Sequence, residues 1–131
     1  MSWVEDIKDM HAKYGVHEWV KNNPEKLEQL LHFRVAFLKE EFDETFKATG
    51  EKDAEEIVDG LIDLCVVAIG TLDAFGVDAY KAWDEVHQAN MSKEVGVKKE
   101  RPNPLGLPDL VKPEGWINPS HGGNYGLLND I

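Results

Sequence analysis

Apolar residues recur at helical spacing through most of the first 93 positions. Trp3, Ile7, Met10 and Tyr14 follow at intervals of four, three and four, which predicts one stripe of a helix interrupted at Gly15. A second helix is predicted from Asn23-Pro24, with Asn23 as cap and proline in the first turn. It continues through Leu27, Leu30, Leu31, Arg34, Leu38, Phe42 and Phe46 and is expected to stop at Thr49-Gly50. Asp53 is the expected cap of a third helix, with Glu55 and Glu56 in the first turn, where the helix dipole favours anions. From Ile57 to Leu72 that helix is apolar nearly all the way round, so neighbours, including a second subunit, are expected to bury it. Gly76 should end it. Asp78 then opens a fourth helix through Tyr80, Trp83, Val86 and His87 that fades at Asn90-Met91-Ser92-Lys93; its spacing places Trp83 in the core.

Beyond Glu94 the chain changes character. Five of the six prolines and six of the eleven glycines fall there, which predicts an extended tail with local turns. Leu105, Leu107, Leu110, Val111, Trp116 and Ile117 suggest that part of it docks on the helices or on a neighbouring subunit. No alternating strand pattern stands out. The expected organisation is therefore an all-α helical domain over residues 1–93 with a tail over 94–131.

Composition narrows the possible partners. A chain of 131 residues suits a single core, and a net charge of −11 opposes any partner held through phosphate neutralisation by a basic face. Duplex nucleic acid is thus not an expected ligand. The single Cys65 excludes an internal disulfide and a thiolate zinc cluster. Charges are scattered through the first twenty residues, and the longest apolar stretch, Leu64 to Ile69, is far too short to span a bilayer. A cytoplasmic protein with no membrane contact is the expectation.

The acids are not spread evenly. Ten of the 25 lie between Glu40 and Asp63. Glu41 and Glu44 are three apart, Glu40 and Glu44 four, Glu56 and Asp59 three, and Asp59 and Asp63 four, so each set shares a helix face. Like charges at that spacing repel by about 0.2–0.5 kcal/mol per pair. One such pair in so acidic a chain is ordinary; two sets on consecutive helices, with Asp63 set between Ile62 and Leu64-Cys65, are not. An ionised Asp63 in that setting needs a partner or a metal. Carboxylates without His or Cys make a hard-oxygen site suited to Mg2+ or Mn2+, and so to phosphate chemistry. Arg34, on the same face as Leu38 and Glu41, is placed to pair with a carboxylate or to bind phosphate. His32 and His87 are ligands only formally, and Cys65 reads as packing.

The run Phe37 to Glu44, the run Glu56 to Asp63, Gly70, and Glu85-Val86-His87-Gln88-Ala89-Asn90-Met91-Ser92-Lys93 together resemble the MazG-like all-α NTP pyrophosphohydrolases, specifically the phosphoribosyl-ATP pyrophosphohydrolase-like branch. The resemblance implies a four-helix bundle that forms a homodimer or homotetramer. It further implies Mg2+-dependent hydrolysis of a nucleoside triphosphate to the monophosphate and pyrophosphate in nucleotide-pool control. Glu41 and Glu44 match the family's Glu-x-x-Glu metal ligands, and Asp63 matches the aspartate of its Glu-x-x-Asp. Gly60 stands where that motif has its glutamate, so Asp59, with Glu56 behind it, is the expected replacement. Glu40 is the candidate general base, and Asn90 and Lys93 match positions that contact phosphate oxygens. Two other readings remain open: phosphoribosyl-ATP hydrolysis, and a non-catalytic acidic helical oligomer.

Overall fold

The computed structural model describes residues 2–131. Five α-helices carry most of the chain: α1 (Trp3–Lys13), α2 (Val16–Asn22), α3 (Leu27–Glu51), α4 (Ala54–Ala74) and α5 (Ala79–Met91). Two short strands, β1 (Glu94–Gly96) and β2 (Asp109–Val111), pair antiparallel, with Val95 opposite Leu110. The fold is all-α apart from that pair. The chain divides into two compact units: residues 1–79 together with 125–131, and residues 80–124.

In the first unit α4 is the central helix, packed on α3, α1 and α2. Ser2 caps α1 by accepting from the Glu5 N–H at 3.2 Å. The buried stripe of α1 is Ile7 and His11; Trp3 and Tyr14, expected beside Ile7, face out. The spacing rule fixes a helical face but not which neighbour covers it. Gly15, at φ 73°, turns the chain into α2, a short helix that the hydrophobic pattern did not announce. Asn23-Pro24 starts a 3-10 turn over Pro24–Lys26, and the α-helical hydrogen bonding begins at Leu27. The Asn23 amide donates back to the Trp19 carbonyl at 2.7 Å.

The α3–α4 corner explains why Gly50 is not the expected stop. Helix α3 runs through it to Glu51, and Lys52 takes the left-handed conformation at φ 56°. That twist lets the Asp53 N–H close on the Ala48 carbonyl at 3.1 Å, while the Asp53 carboxylate accepts from the Glu56 N–H at 3.2 Å. One aspartate thus ends α3 and begins α4, and the two helices pair as a tight antiparallel hairpin. They meet at Gly60, where an added Cβ would collide with the Thr45 hydroxyl. Past α4, Phe75 is fully buried, and Gly76 has the left-handed φ of 70° expected of a helix end. A terminal 3-10 turn over Gly126–Asp130 returns to this unit, the Leu127 N–H donating to the Phe75 carbonyl at 2.7 Å.

One chain does not cover its own apolar surface. Val58, Leu61 and Ile62 of α4 and Phe33, Phe42 and Phe46 of α3 are all exposed. A groove of about 240 Å³ between α1 and α4 is lined by Trp3, Ile7, Ile62, Cys65, Val66 and Ile69. In the second unit, Trp83 is 73 % exposed, against its expected place in a core. Here α5 instead receives Trp116, whose indole N–H donates to the Ala89 carbonyl at 2.9 Å and to the Ser92 hydroxyl at 3.1 Å. The strand pair was invisible because three-residue strands are too short to show alternation. No single helix is long and apolar enough to cross a membrane.

Candidate functional site

The α3–α4 hairpin sets two acidic helix faces opposite one another. The centre of that arrangement is Glu41, a half-buried residue of α3. Its carboxyl is pushed above the usual glutamate range first by loss of solvent and then by the negative charges of Asp63, Glu44, Glu40 and Asp59. Two helices therefore deliver five carboxylates whose fields overlap. Asp63 is half-buried; Glu40, Glu44 and Asp59 are exposed. No three of these carboxylates have ligand oxygens within 4.8 Å of one another among the described residues.

The remaining predicted positions lie elsewhere. Glu56 sits in the first turn of α4, exposed, its N–H on the Asp53 cap. Gly60 is buried against α3, and Thr45, hydrogen-bonded to the Glu41 carbonyl at 2.8 Å, occupies the space a side chain there would need. At this point the Thr45 side chain leaves no room for the glutamate. Arg34 is not directed at the acidic set. Its Nε donates to the Thr71 hydroxyl at 3.1 Å and its Nη2 to the Val67 carbonyl at 3.0 Å, and the carboxylate whose charge acts on it is Asp73. Burial pushes its guanidinium below the usual range, with Asp73 opposing. Asn90 and Lys93 belong to the second unit. The Lys93 N–H donates to the Asn90 carbonyl at 3.1 Å, and the Lys93 and Lys112 ammoniums lie 5.1 and 5.0 Å from the Trp116 ring centre.

A second polar cluster was missed in the sequence. At the C-terminal end of α4, one oxygen of Asp73 lies 2.8 Å from His11 Nδ1 of α1 and 2.7 Å from His17 Nε2 of α2. Burial lowers the His11 pKa, while the hydrogen bond to Asp73 and its charge oppose the shift. Gly70 makes room for the cluster: a Cβ there would meet Arg34 Nη2 at 2.5 Å and His11 Cε1 at 3.2 Å. His11 and Asp73 are 62 residues apart, and no local spacing links them. The one sequence signal was His11 falling four residues after Ile7, on the face that turns out to be buried.

Residues 15–90, more than half of the chain, match the family model described as phosphoribosyl-ATP pyrophosphohydrolase, a member of the MazG-like all-α group. Comparison with curated proteins returns no match.

Proposed function

Because the chain belongs to the phosphoribosyl-ATP pyrophosphohydrolase family, and so to the hydrolases acting on phosphoric anhydrides, we propose that its acidic α3–α4 face hydrolyses the α–β anhydride of a nucleoside triphosphate. The products are the nucleoside monophosphate and pyrophosphate. The observation that supports this reading is the raised pKa of the α3 residue Glu41, pushed up first by loss of solvent and then by the charges of Asp63, Glu44, Glu40 and Asp59 from both helices. A solvated acidic surface has no reason to gather four like charges around one partly desolvated carboxylate.

The donor set fits a hard divalent cation: all oxygen, on two helices, with one member pressed toward neutrality by loss of solvent and by its neighbours. Glu41, Glu44, Asp59 and Asp63 would hold Mg2+, or Mn2+ in its place. When bound, the ion neutralises charge on the phosphate chain and the leaving group. The chain's own part is positioning and proton transfer. Glu40, one residue from the centre of the set, accepts a proton from the attacking water. As the water oxygen bonds to the α-phosphorus, the bridging bond to the β-phosphate breaks and pyrophosphate leaves with that electron pair.

A second substrate has specific support, because phosphoribosyl-ATP is the one that the matched family is named for. It carries the same anhydride, so the chemistry above applies unchanged. Pyrophosphate release measured across dNTPs, NTPs and phosphoribosyl-ATP with Mg2+ separates the two. Turnover on none of them returns the protein to the reading of an acidic, non-catalytic oligomer.

The exposed apolar residues of α3 and α4 support a second copy as their cover, since a continuous apolar face on one chain marks an interaction surface. Sedimentation tests this: a homodimer or homotetramer is expected, and a monomer at micromolar concentration would refute it.

A further inference from the structure

The polar cluster at the far end of α4 lies outside the hydrolytic face: Asp73 follows Asp63 by ten residues, or about 15 Å along a helix. Three ligand atoms meet there within 4.8 Å of one another, each from a different helix: His11 Nδ1, His17 Nε2 and an oxygen of Asp73. Among the described residues it is the one such group of His, Cys, Asp or Glu. We propose that His11, His17 and Asp73 bind a transition-metal ion of the Zn2+ class, which pins α1 and α2 to the end of α4.

The chemistry of the donors is the first argument. Two imidazoles and one carboxylate suit Zn2+ and its neighbours rather than Mg2+, and with water in the open position they complete a four-coordinate site. Accessibility is the second. The side chains of His11 and Asp73 are 3 % and 7 % exposed and thus held in place, whereas His17 is 45 % exposed and leaves the site open to solvent on its side. The third is geometric. Both nitrogens aim at a single carboxylate oxygen from rings inclined at 70° and 6.0 Å apart, so they approach one point from different directions.

Tetrahedral coordination by such donors separates them by about 3.3 Å, so the present contacts need to open by roughly half an ångström. His17, in the first turn of the short helix α2 and 45 % exposed, is the ligand with room to make that adjustment. On binding, His11 Nδ1 and His17 Nε2 would turn their lone pairs to the ion, which leaves the ring protons on His11 Nε2 and His17 Nδ1. Arg34 bounds the site without closing it, because its Nε and Nη2 donors are engaged by Thr71 and Val67. Its charge acts on Asp73 and opposes the cation, so micromolar rather than nanomolar affinity is expected.

The inference does not depend on the hydrolase reading. The test uses the full chain, stripped with a chelator and titrated with Co2+ in excess Mg2+, so that the oxygen site is filled. One Co2+ per chain is expected, with the visible bands of a four- or five-coordinate ion, displaced by Zn2+. His17→Ala, at an exposed position, should weaken Zn2+ at least about tenfold while circular dichroism stays unchanged, and His17→Gln should do the same. Asp63→Asn should leave the Co2+ bands intact, whatever it does to hydrolysis. Zn2+ should raise the Tm of the natural chain and not that of His17→Ala. Absence of Co2+ uptake, uptake unchanged in both His17 variants, or bands lost in Asp63→Asn would each overturn the proposal, leaving the cluster as a hydrogen-bonded staple.

Discussion

The two ends of α4 handle negative charge in opposite ways. Near its start, Asp59 and Asp63 face Glu40, Glu41 and Glu44 of α3 with no basic side chain acting on Glu41, and its carboxyl is driven toward the neutral form. Near its end, the Asp73 side chain is 7 % exposed, and it is engaged by two imidazoles and feels the guanidinium of Arg34. Asp73 therefore has its hydrogen-bond partners within the fold even before any ion joins them. The crowded acidic face brings no such counter-charge to Glu41, and the proposed cation would supply it.

The largest expected effect at the first end is on activity. Asp63→Asn should lower pyrophosphate release by roughly 1,000-fold, with the thermal transition unchanged or raised, because a repelling charge is removed. Loss of activity together with loss of fold would instead make Asp63 structural. At the second end the largest effect is on stability. Asp73→Ala should cost about 2–4 kcal/mol in urea unfolding, since it strands His11 and the charge of Arg34. If Asp73→Ala unfolds like the natural chain, the contrast between the two ends is lost.

Restoring the family's glutamate is the next test in size. Gly60→Glu should destabilise by roughly 1–3 kcal/mol through collision with Thr45, and Thr45→Ala should recover part of that loss.

Acidification of chelator-treated protein should move the two ends in opposite directions. The folded-state pKa of Glu41 is raised, so folding favours its protonated form, and lowering pH through that value relieves the acidic face. Tm in the natural chain, compared with Glu41→Gln, isolates this term. The folded-state pKa of His11 is lowered, chiefly by burial, so its contribution is fully present above the unfolded value of about 6.5 and is lost as pH falls from there through the lower folded value. Stability measured from pH 7.5 to 5 should fall more in the natural chain than in a folded His11→Gln variant. Smallest of all is the exposed Lys39–Asp43 pair at 2.7 Å, whose removal should shift stability by less than about 0.5 kcal/mol.

Local signals in the chain were strong where the physics is local. Asp53 caps α4 as expected because a carboxylate two or three residues ahead of free N–H groups is satisfied by its own neighbours. Gly76 ends α4 region for a similar reason, its left-handed backbone being cheap only without a Cβ. The same local reasoning misjudged Gly50, because Lys52 accepted the left-handed twist needed for the Asp53 N–H to reach Ala48. It misjudged Trp83, because helical spacing identifies a face without saying what lies against it.

By itself, the sequence determined that the chain is helical, that Glu41, Glu44, Asp59 and Asp63 share two helix faces, and that the run of motifs belongs to a pyrophosphohydrolase family. Those properties follow from spacings of three and four residues, which are written directly in the chain. Only the tertiary structure decided that Gly60 must stay bare against Thr45, that Arg34 serves α4 rather than the acids, and that His11, His17 and Asp73 meet. Each of these depends on groups brought together from distant positions, and the side chains that meet between two helices, not the period of either, settle what can occupy the space there.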